Sequence, residues 1–400
     1  MRSVFVSRAI NKGRNTLTIA TLHMLFDFDK TLSALVNCCQ LEQLTILDDI
    51  LLGQQLTKTL NPAKRLKKLH LNGSARFRPS ELRHLFKTLS DRLESFSCCV
   101  KDGRIGSFNA VKSEKLRDLS ITYDGVEDIS NILVGISDRM PALESLAVRH
   151  SGSPVRMLGP AVFVDLEKCS HLRNLDLAVP EIAAPKLKLP KTLIRLALTT
   201  TDRFWDNRNG VPPPFDLPQL EELTVMIPFS MRTDVSSRTW LDPFLEQVRV
   251  AEHVNLALSV TNRFRSLKDM QTTEPPSKLR KLSLEGKCLD PLDSHDRAFL
   301  KHNRLSHLEE LHLPRIQGYD DNFMELIVET LPHLWFLNAS ETAIDGVDVK
   351  VAVQSGHIRE LWLNDCRRLG RDAVDWARSQ GVSVRARMPD SGFGGKKIRW

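Results

Sequence analysis

No run of about 18 or more consecutive apolar residues occurs in this chain of 400 residues, so no membrane-crossing helix is expected. No Cys-x-x-Cys pair is present, and the seven cysteines, at positions 38, 39, 98, 99, 169, 288 and 366, are odd in number. Cys38–Cys39 and Cys98–Cys99 are sequence neighbours, which rarely bridge. These absences argue against a zinc site and a disulfide framework. They point to buried thiols in a reducing, intracellular compartment, cytoplasmic or nuclear.

Catalytic signatures are sparse too. There is no His-Glu-x-x-His, no Gly-x-Ser-x-Gly and no phosphate-binding glycine loop. Ser151-Gly152-Ser153 reads as a turn, and the twelve histidines are scattered, mostly beside apolar phrases. One segment, Phe26-Asp27-Phe28-Asp29-Lys30-Thr31-Leu32, resembles motif I of haloacid-dehalogenase-type phosphatases. In that motif the first aspartate attacks phosphorus and the second handles the proton. The chemistry also needs a later lysine and an acidic metal loop on a doubly wound sheet, and no Gly-Asp-x-x-x-Asp follows. Asp27 and Asp29 therefore read as a chance match, with phosphatase-like activity a remote alternative. The chain is expected to be no enzyme and to use no cofactor or metal.

What is present is basic charge and a repeat. Net charge is +7, unevenly spread. Lys64, Arg65, Lys67, Lys68, Arg76, Arg78, Arg83, Lys87 and Arg92 face only Glu81 and Asp91 between Pro62 and Arg92. The stretch from Arg367 is basic as well. Such patches attract nucleic acid or acidic partners, although solvated repeat faces account for most of them. Arg2, Arg8, Lys12 and Arg14 open the chain with no acid in the first 26 residues, a composition shared with mitochondrial presequences. Val4-Phe5-Val6 reads as a short strand instead, with no arginine-studded helix after it.

The repeat is the phrase apolar-x-x-apolar-x-apolar. It runs through Leu41/Leu44/Ile46, Leu66/Leu69/Leu71, Leu93/Phe96/Cys98, Leu116/Leu119/Ile121, Leu143/Leu146/Val148, Leu172/Leu175/Leu177, Leu193/Leu196/Leu198 and Leu220/Leu223/Val225. After a gap it returns at Leu279/Leu282/Leu284, Leu308/Leu311/Leu313, Leu334/Leu337/Ala339 and Ile358/Leu361/Leu363. Spacings run from 21 to 29 residues, except for one of 59, which has room for one further unit. Val254, Leu256, Leu258 and Val260 are its candidate strand, and Val382 with Val384 suggests a last one. The last two apolar positions are two apart and share one side of a short strand; the first lies in the turn entering it. Stacked on their equivalents, they form one continuous core.

Helical stripes lie between the phrases: Leu82, Leu85, Phe86 and Leu89 after Pro79; Phe323, Leu326, Ile327 and Leu331; Ala373, Val374 and Ala377, ended by Gly381. Asp242-Pro243 starts another. The expected organisation is one solenoid over residues 1–388 in the α/β class. It is right-handed, with a parallel sheet on the concave face and helices and loops on the convex face. Loops are expected at 201–219 and 261–278, which carry Pro212-Pro213-Pro214 and Pro275-Pro276, and a mobile basic tail at 389–400.

Over nearly its whole length the chain resembles leucine-rich-repeat proteins. The unit Ile358-x-x-Leu361-x-Leu363-x-x-Cys366, followed by Leu369, looks like the cysteine-containing subclass typical of F-box proteins, with an irregularity similar to fungal ones. Arg2-Ser3-Val4-Phe5-Val6-Ser7 is similar to the strand that often follows an F-box, but no F-box is visible. The resemblance implies a monomeric protein-binding scaffold, one that could serve as the substrate-recognition part of a ubiquitin-ligase receptor. No membrane partner is implied.

Residues between the apolar positions point away from the core. Near the C-terminus these are Glu310, His312, Phe336, Asn338, Glu360, Trp362 and Asn364. Phe336 and Trp362 are expected to be exposed aromatic anchors for a protein partner. The alternative is nucleic-acid binding through the basic repeats around residues 64–92, by Lys64, Arg65, Lys67, Lys68, Arg76, Arg78, Arg83 and Lys87. No ordered set of exposed aromatics interleaves those basic residues for base stacking.

Overall fold

The computed structural model describes residues 16–22, 34–35, 38–47, 54–75, 79–100, 108, 111–123, 133–151, 162–179, 182–199, 217–227, 252–258, 279–286, 301, 305–316 and 322–387. The contacts divide the chain into two units, Met1–Leu193 and Ile194–Trp400.

In the first unit, strands β1 (Ile19–Leu22), β2 (Gln43–Ile46), β3 (Lys68–Ala75), β4 (Ser95–Val100), β5 (Asp118–Tyr123), β6 (Ser145–His150) and β8 (Asn174–Ala178) form a sheet in sequence order. Each pairs with the next in parallel. Two further strands, β7 (Val162–Asp165) and β9 (Ile182–Lys188), make a separate parallel pair. Helices α1 (Gln54–Leu60), α2 (Pro79–Leu89) and α3 (Ile136–Arg139) occupy the crossovers.

In the second unit, β10 (Arg195–Thr199), β11 (Glu222–Ile227), β12 (His253–Leu258), β13 (Lys281–Gly286), β14 (Glu310–His312), β15 (Phe336–Asn338), β16 (Glu360–Trp362) and β17 (Ser383–Arg385) also follow sequence order in parallel. Helices α4 (Phe323–Thr330), α5 (Gly346–Gln354) and α6 (Arg371–Ser379) lie in its last three crossovers.

Both units are leucine-rich-repeat solenoid. All twelve phrases became strands whose central leucines or equivalents stand opposite one another: Leu311 pairs with Leu337, and Leu337 with Leu361. The phrase's first residue has its own task. Leu41, Leu66, Leu143, Leu172, Leu308 and Leu334 each donate their backbone N–H to the carbonyl three residues earlier, closing the turn into the strand. That earlier residue is itself a buried apolar one: Cys38, Ala63, Met140, Cys169, Leu305 or Leu331. Two of the cysteines are thus turn-packing residues, and burial raises both thiols, Cys169 to about 11.

The strands expected at Val254 and at Val382–Val384 are β12 and β17. β1 was not expected, because its phrase, Leu17-x-x-Ala20-x-Leu22, has an alanine at its centre. The β7–β9 pair lay outside the phrase altogether. The helices expected after Pro79, around Phe323 and around Ala373 are α2, α4 and α6. Gly381 adopts φ 86° after α6, a left-handed stop that glycine tolerates. A doubly wound sheet would reverse its strand order at a switch point; neither unit's sheet does so. Asp27, Asp29, Val4-Phe5-Val6, Asp242-Pro243, residues 201–216 and 261–278 and the tail fall outside the described residues.

A second regularity follows the last three long repeats. Arg315, Glu341 and Asp365 have φ of 62°, 57° and 57°, at the same register position. One residue later come Ile316, Thr342 and Cys366, all buried. The Cys366 thiol donates to the Ala339 carbonyl at 3.2 Å, and Thr342 Oγ1 donates to the same oxygen at 2.7 Å. The cysteine and its threonine counterpart thus tie the turn after one strand to the neighbouring repeat.

Candidate functional site

The open face of β13–β17 is built from two side-chain rows set by register. The first row reads Lys281, Glu310, Phe336, Glu360 and Ser383; the second reads Ser283, His312, Asn338, Trp362 and Arg385. Rows arise because alternate strand residues face the same side and parallel strands keep them level.

Phe336 points to the open side as its phase requires, but it is only 5% exposed. This corrects the expectation of an exposed anchor. Its diagonal neighbours cover it: the His312 ring lies 4.8 Å away and Trp362 5.1 Å away, edge-on, while Trp335 packs at 5.8 Å. The small Asn338 between His312 and Trp362 leaves room for the phenyl ring to lie there. Trp362 is half-buried and keeps an edge open to solvent on the sheet face. Its indole N–H donates to Glu360 Oε1 at 2.7 Å, and the Arg385 guanidinium sits 4.7 Å over its ring. Glu360 also faces Arg385 at 3.6 Å, so one carboxylate fixes both neighbours.

The polar members are largely committed to internal contacts. Glu310 pairs with Lys281 at 2.8 Å. Burial raises the Glu310 carboxyl, but the hydrogen bond and charge of Lys281, with His312, outweigh it and leave it below the ordinary range. The Ser340 N–H donates to Asn338 Oδ1 at 3.1 Å, which fixes the amide. Asn338 Nδ2 then faces His312 Nδ1 at 3.5 Å, so that nitrogen is the acceptor and Nε2 carries the proton. Nε2 lies 3.6 Å from Glu310, too far for a hydrogen bond. Burial, then Lys281, lowers the His312 pKa against the pull of Glu310. Asn364 accepts the Arg387 N–H at 2.9 Å, a clamp between repeats.

Beside this cluster lies a recess of about 450 Å³ on the open face of β11–β14, with Thr224 and Ser283 as small residues between Glu222, His253, Lys281 and His312. Sequence reasoning named His312 but missed Lys281 and Arg385, and with them Thr224, His253 and Ser283 of the recess. Arg385 was legible, since Val384 fixed its phase; the recess depends on which residues become lateral neighbours.

The basic residues are distributed differently. Lys68 stands on the open side of β3, whereas Arg83 and Lys87 are exposed on α2, in the other layer. Lys67 pairs with Glu94 at 3.5 Å, Arg65 donates to Gln40, and Lys64 is exposed in the turn. Arg76 and Arg78 lie outside the described residues. Among the described residues no helix is long and apolar enough to cross a membrane.

No family model matches the chain. It is similar to the F-box/TPR repeat protein pof3 of Schizosaccharomyces pombe (strain 972 / ATCC 24843), 34% identical over 101 residues. That match covers 24% of this chain and 17% of the relative's length. Among solved structures, an internalin (inlF) from Listeria monocytogenes str. 4b F2365 aligns over 94% of this chain and 96% of its own, with a TM-score of 0.44 and 13% identity. The Rad7 and Elc1 complex in yeast aligns over 94% of this chain and 77% of its own, with a TM-score of 0.43 and 12% identity. A leucine-rich-repeat protein of Leptospira interrogans, LIC12759, aligns over 96% of this chain and 98% of its own, with a TM-score of 0.44 and 13% identity.

Proposed function

We propose that the chain is a protein-interaction scaffold and that a protein partner docks on the open face of β13–β17. The observation that carries this reading is Trp362, a half-buried aromatic on the sheet face, backed by Phe336 and His312 and held by Glu360 and Arg385. An anchor already fixed in one orientation loses little freedom when a partner covers it. Truncating such an anchor typically costs about 2 kcal/mol or more of binding, near thirtyfold in affinity. Affinity purification with wild-type chain and with Trp362→Ala, read by mass spectrometry, is the test. The main partner is expected to disappear from the variant while circular dichroism stays unchanged. Capture at wild-type level would refute the site.

Within that reading, the chain acts as the substrate-recognition part of an F-box-type ubiquitin-ligase receptor, in a reducing intracellular compartment. Support comes from the stretch similar to an F-box protein and from the repeat built around Cys366. Co-purification of ubiquitin-ligase subunits with the full-length product is the expected outcome; a clean absence of them would remove the ligase assignment and leave the scaffold.

A further inference from the structure

Each phrase carries one more position, the residue just after its first apolar member, at the edge where the chain enters the sheet. In the second unit this edge row reads Glu252, Arg280, Glu309, Trp335 and Arg359 from β12 to β16. The row lines a groove of about 980 Å³ with His307, His333 and His357, which precede three successive phrases at one register position. The His307 and His333 rings stack at 6.0 Å. Gly356, at φ 76°, contributes no side chain to the wall beside His357.

The charges in this groove are ordered. Arg280 and Glu309, in the middle, neutralise each other in an ion pair. Trp335, 36% exposed, stands where an acid would otherwise face Arg359. Among the described residues, Arg359 and Glu252 therefore have no ion-pair partner, and they sit at opposite ends of the groove. Four strand spacings separate them, about 19 Å, the span of five or six residues of extended chain.

We infer that this edge groove takes an extended peptide segment of dipolar charge, with a carboxylate at Arg359, a basic residue at Glu252 and an apolar side chain between them on Trp335. Charge order supplies the selectivity, because a segment with two acids or two bases meets a like charge at one end. The Trp335 face lies inside the groove, one strand from Arg359 and three from Glu252, where an apolar contact excludes water. The surface is separate from the open face around Trp362, so each can fail alone.

Three fluorescein-labelled peptides of one length, each with one leucine two residues inside the end meant for Arg359, decide the matter by fluorescence anisotropy with the full chain. One carries glutamate and lysine six residues apart, one two glutamates, and one two lysines. The dipolar peptide is expected to bind about tenfold more tightly than either of the others at low salt, as like-charge placement demands. Arg359→Glu should reverse the order in favour of the two-lysine peptide, and Trp335→Ala should weaken all three. Trp362→Ala should change none of them. Equal binding of the three peptides, no saturable binding of any, or an order unchanged by Arg359→Glu would overturn the inference.

Discussion

Phe336 and Trp362 share a face, yet they belong to different kinds of residue. Strand phase assigns both to the open side. Exposure then depends on neighbours: His312, Trp335 and Trp362 close over the phenyl ring, while Trp362 keeps a solvated edge. Their truncations should therefore separate. Phe336→Ala is expected to lower unfolding stability by about 2 kcal/mol or more, the loss of a covered aromatic and its edge contacts. Trp362→Ala is expected to cost under about 1 kcal/mol of stability and to act mainly on binding. Urea denaturation of the two variants checks this; equal losses would mean that Trp362 is as much a packing residue as Phe336. Arg139 shows the same dependence on neighbours. Its buried guanidinium donates to the carbonyls of Phe108, Val111 and Val134, which phase alone does not assign to it.

At the scale of the element, the C-terminal repeats are closed by turns as much as by apolar strands. Asp365 sits at φ 57°, a conformation that costs most L-residues about 1–2 kcal/mol and glycine almost nothing. It is exposed, and its backbone N–H is satisfied by Arg387 O at 2.8 Å. Asp365→Gly is thus expected to raise stability by up to about 1 kcal/mol, the relief of strain exceeding glycine's added unfolded-state entropy. A lower thermal midpoint would show that the aspartate compensates its own strain. The helix that follows Ile344 offers the opposite case. Asp345 accepts N–H bonds from Val347 at 2.8 Å and Asp348 at 3.3 Å, while Asp348 accepts the Asp345 N–H at 2.9 Å. This is a reciprocal capping box. Asp345→Ala should cost about 1 kcal/mol, measured by chemical denaturation, and Asp345→Asn markedly less.

At the scale of the whole molecule, lateral rows replace a closed core. Along the first unit's sheet edge, Glu42, Lys67, Glu94, Arg117, Glu144 and Arg173 alternate in sign, with Lys67–Glu94 at 3.5 Å and Arg117–Glu144 at 3.2 Å. These side chains are largely solvated, so each pair adds little to stability. Their alternation instead favours the observed register, in which each acid stands beside a base. Acidification should reach each unit through one partly buried histidine. Burial, then Lys68, lowers the His70 pKa; burial, then Lys281, lowers that of His312. The folded chain then binds fewer protons than the unfolded one. Stability is full above the unfolded value of about 6.5, falls as pH drops below it, and levels off below the folded values. Urea midpoints between pH 7.5 and pH 5 should therefore fall less steeply in the double variant His70→Gln with His312→Gln. An equal slope would mean that neither imidazole resists protonation in the fold.

The sequence alone determined the repeat, the strand positions, the identity of the core leucines and the phase of every side chain between them. A period of two within the phrase and of 21–29 residues between phrases suffices for that, since each unit stacks on an equivalent one. It also revealed the gap that β12 fills. Tertiary structure decided what lies beside what. Repeats of unequal length bring Glu310 level with Lys281, 29 residues earlier, and Trp335 level with Arg359, 24 later. Such contacts follow from register between strands, which no single repeat encodes. The burial of Phe336, the neutral tautomer of His312 and the ordered charges along the edge groove all arise there, because each is a property of side chains on different repeats.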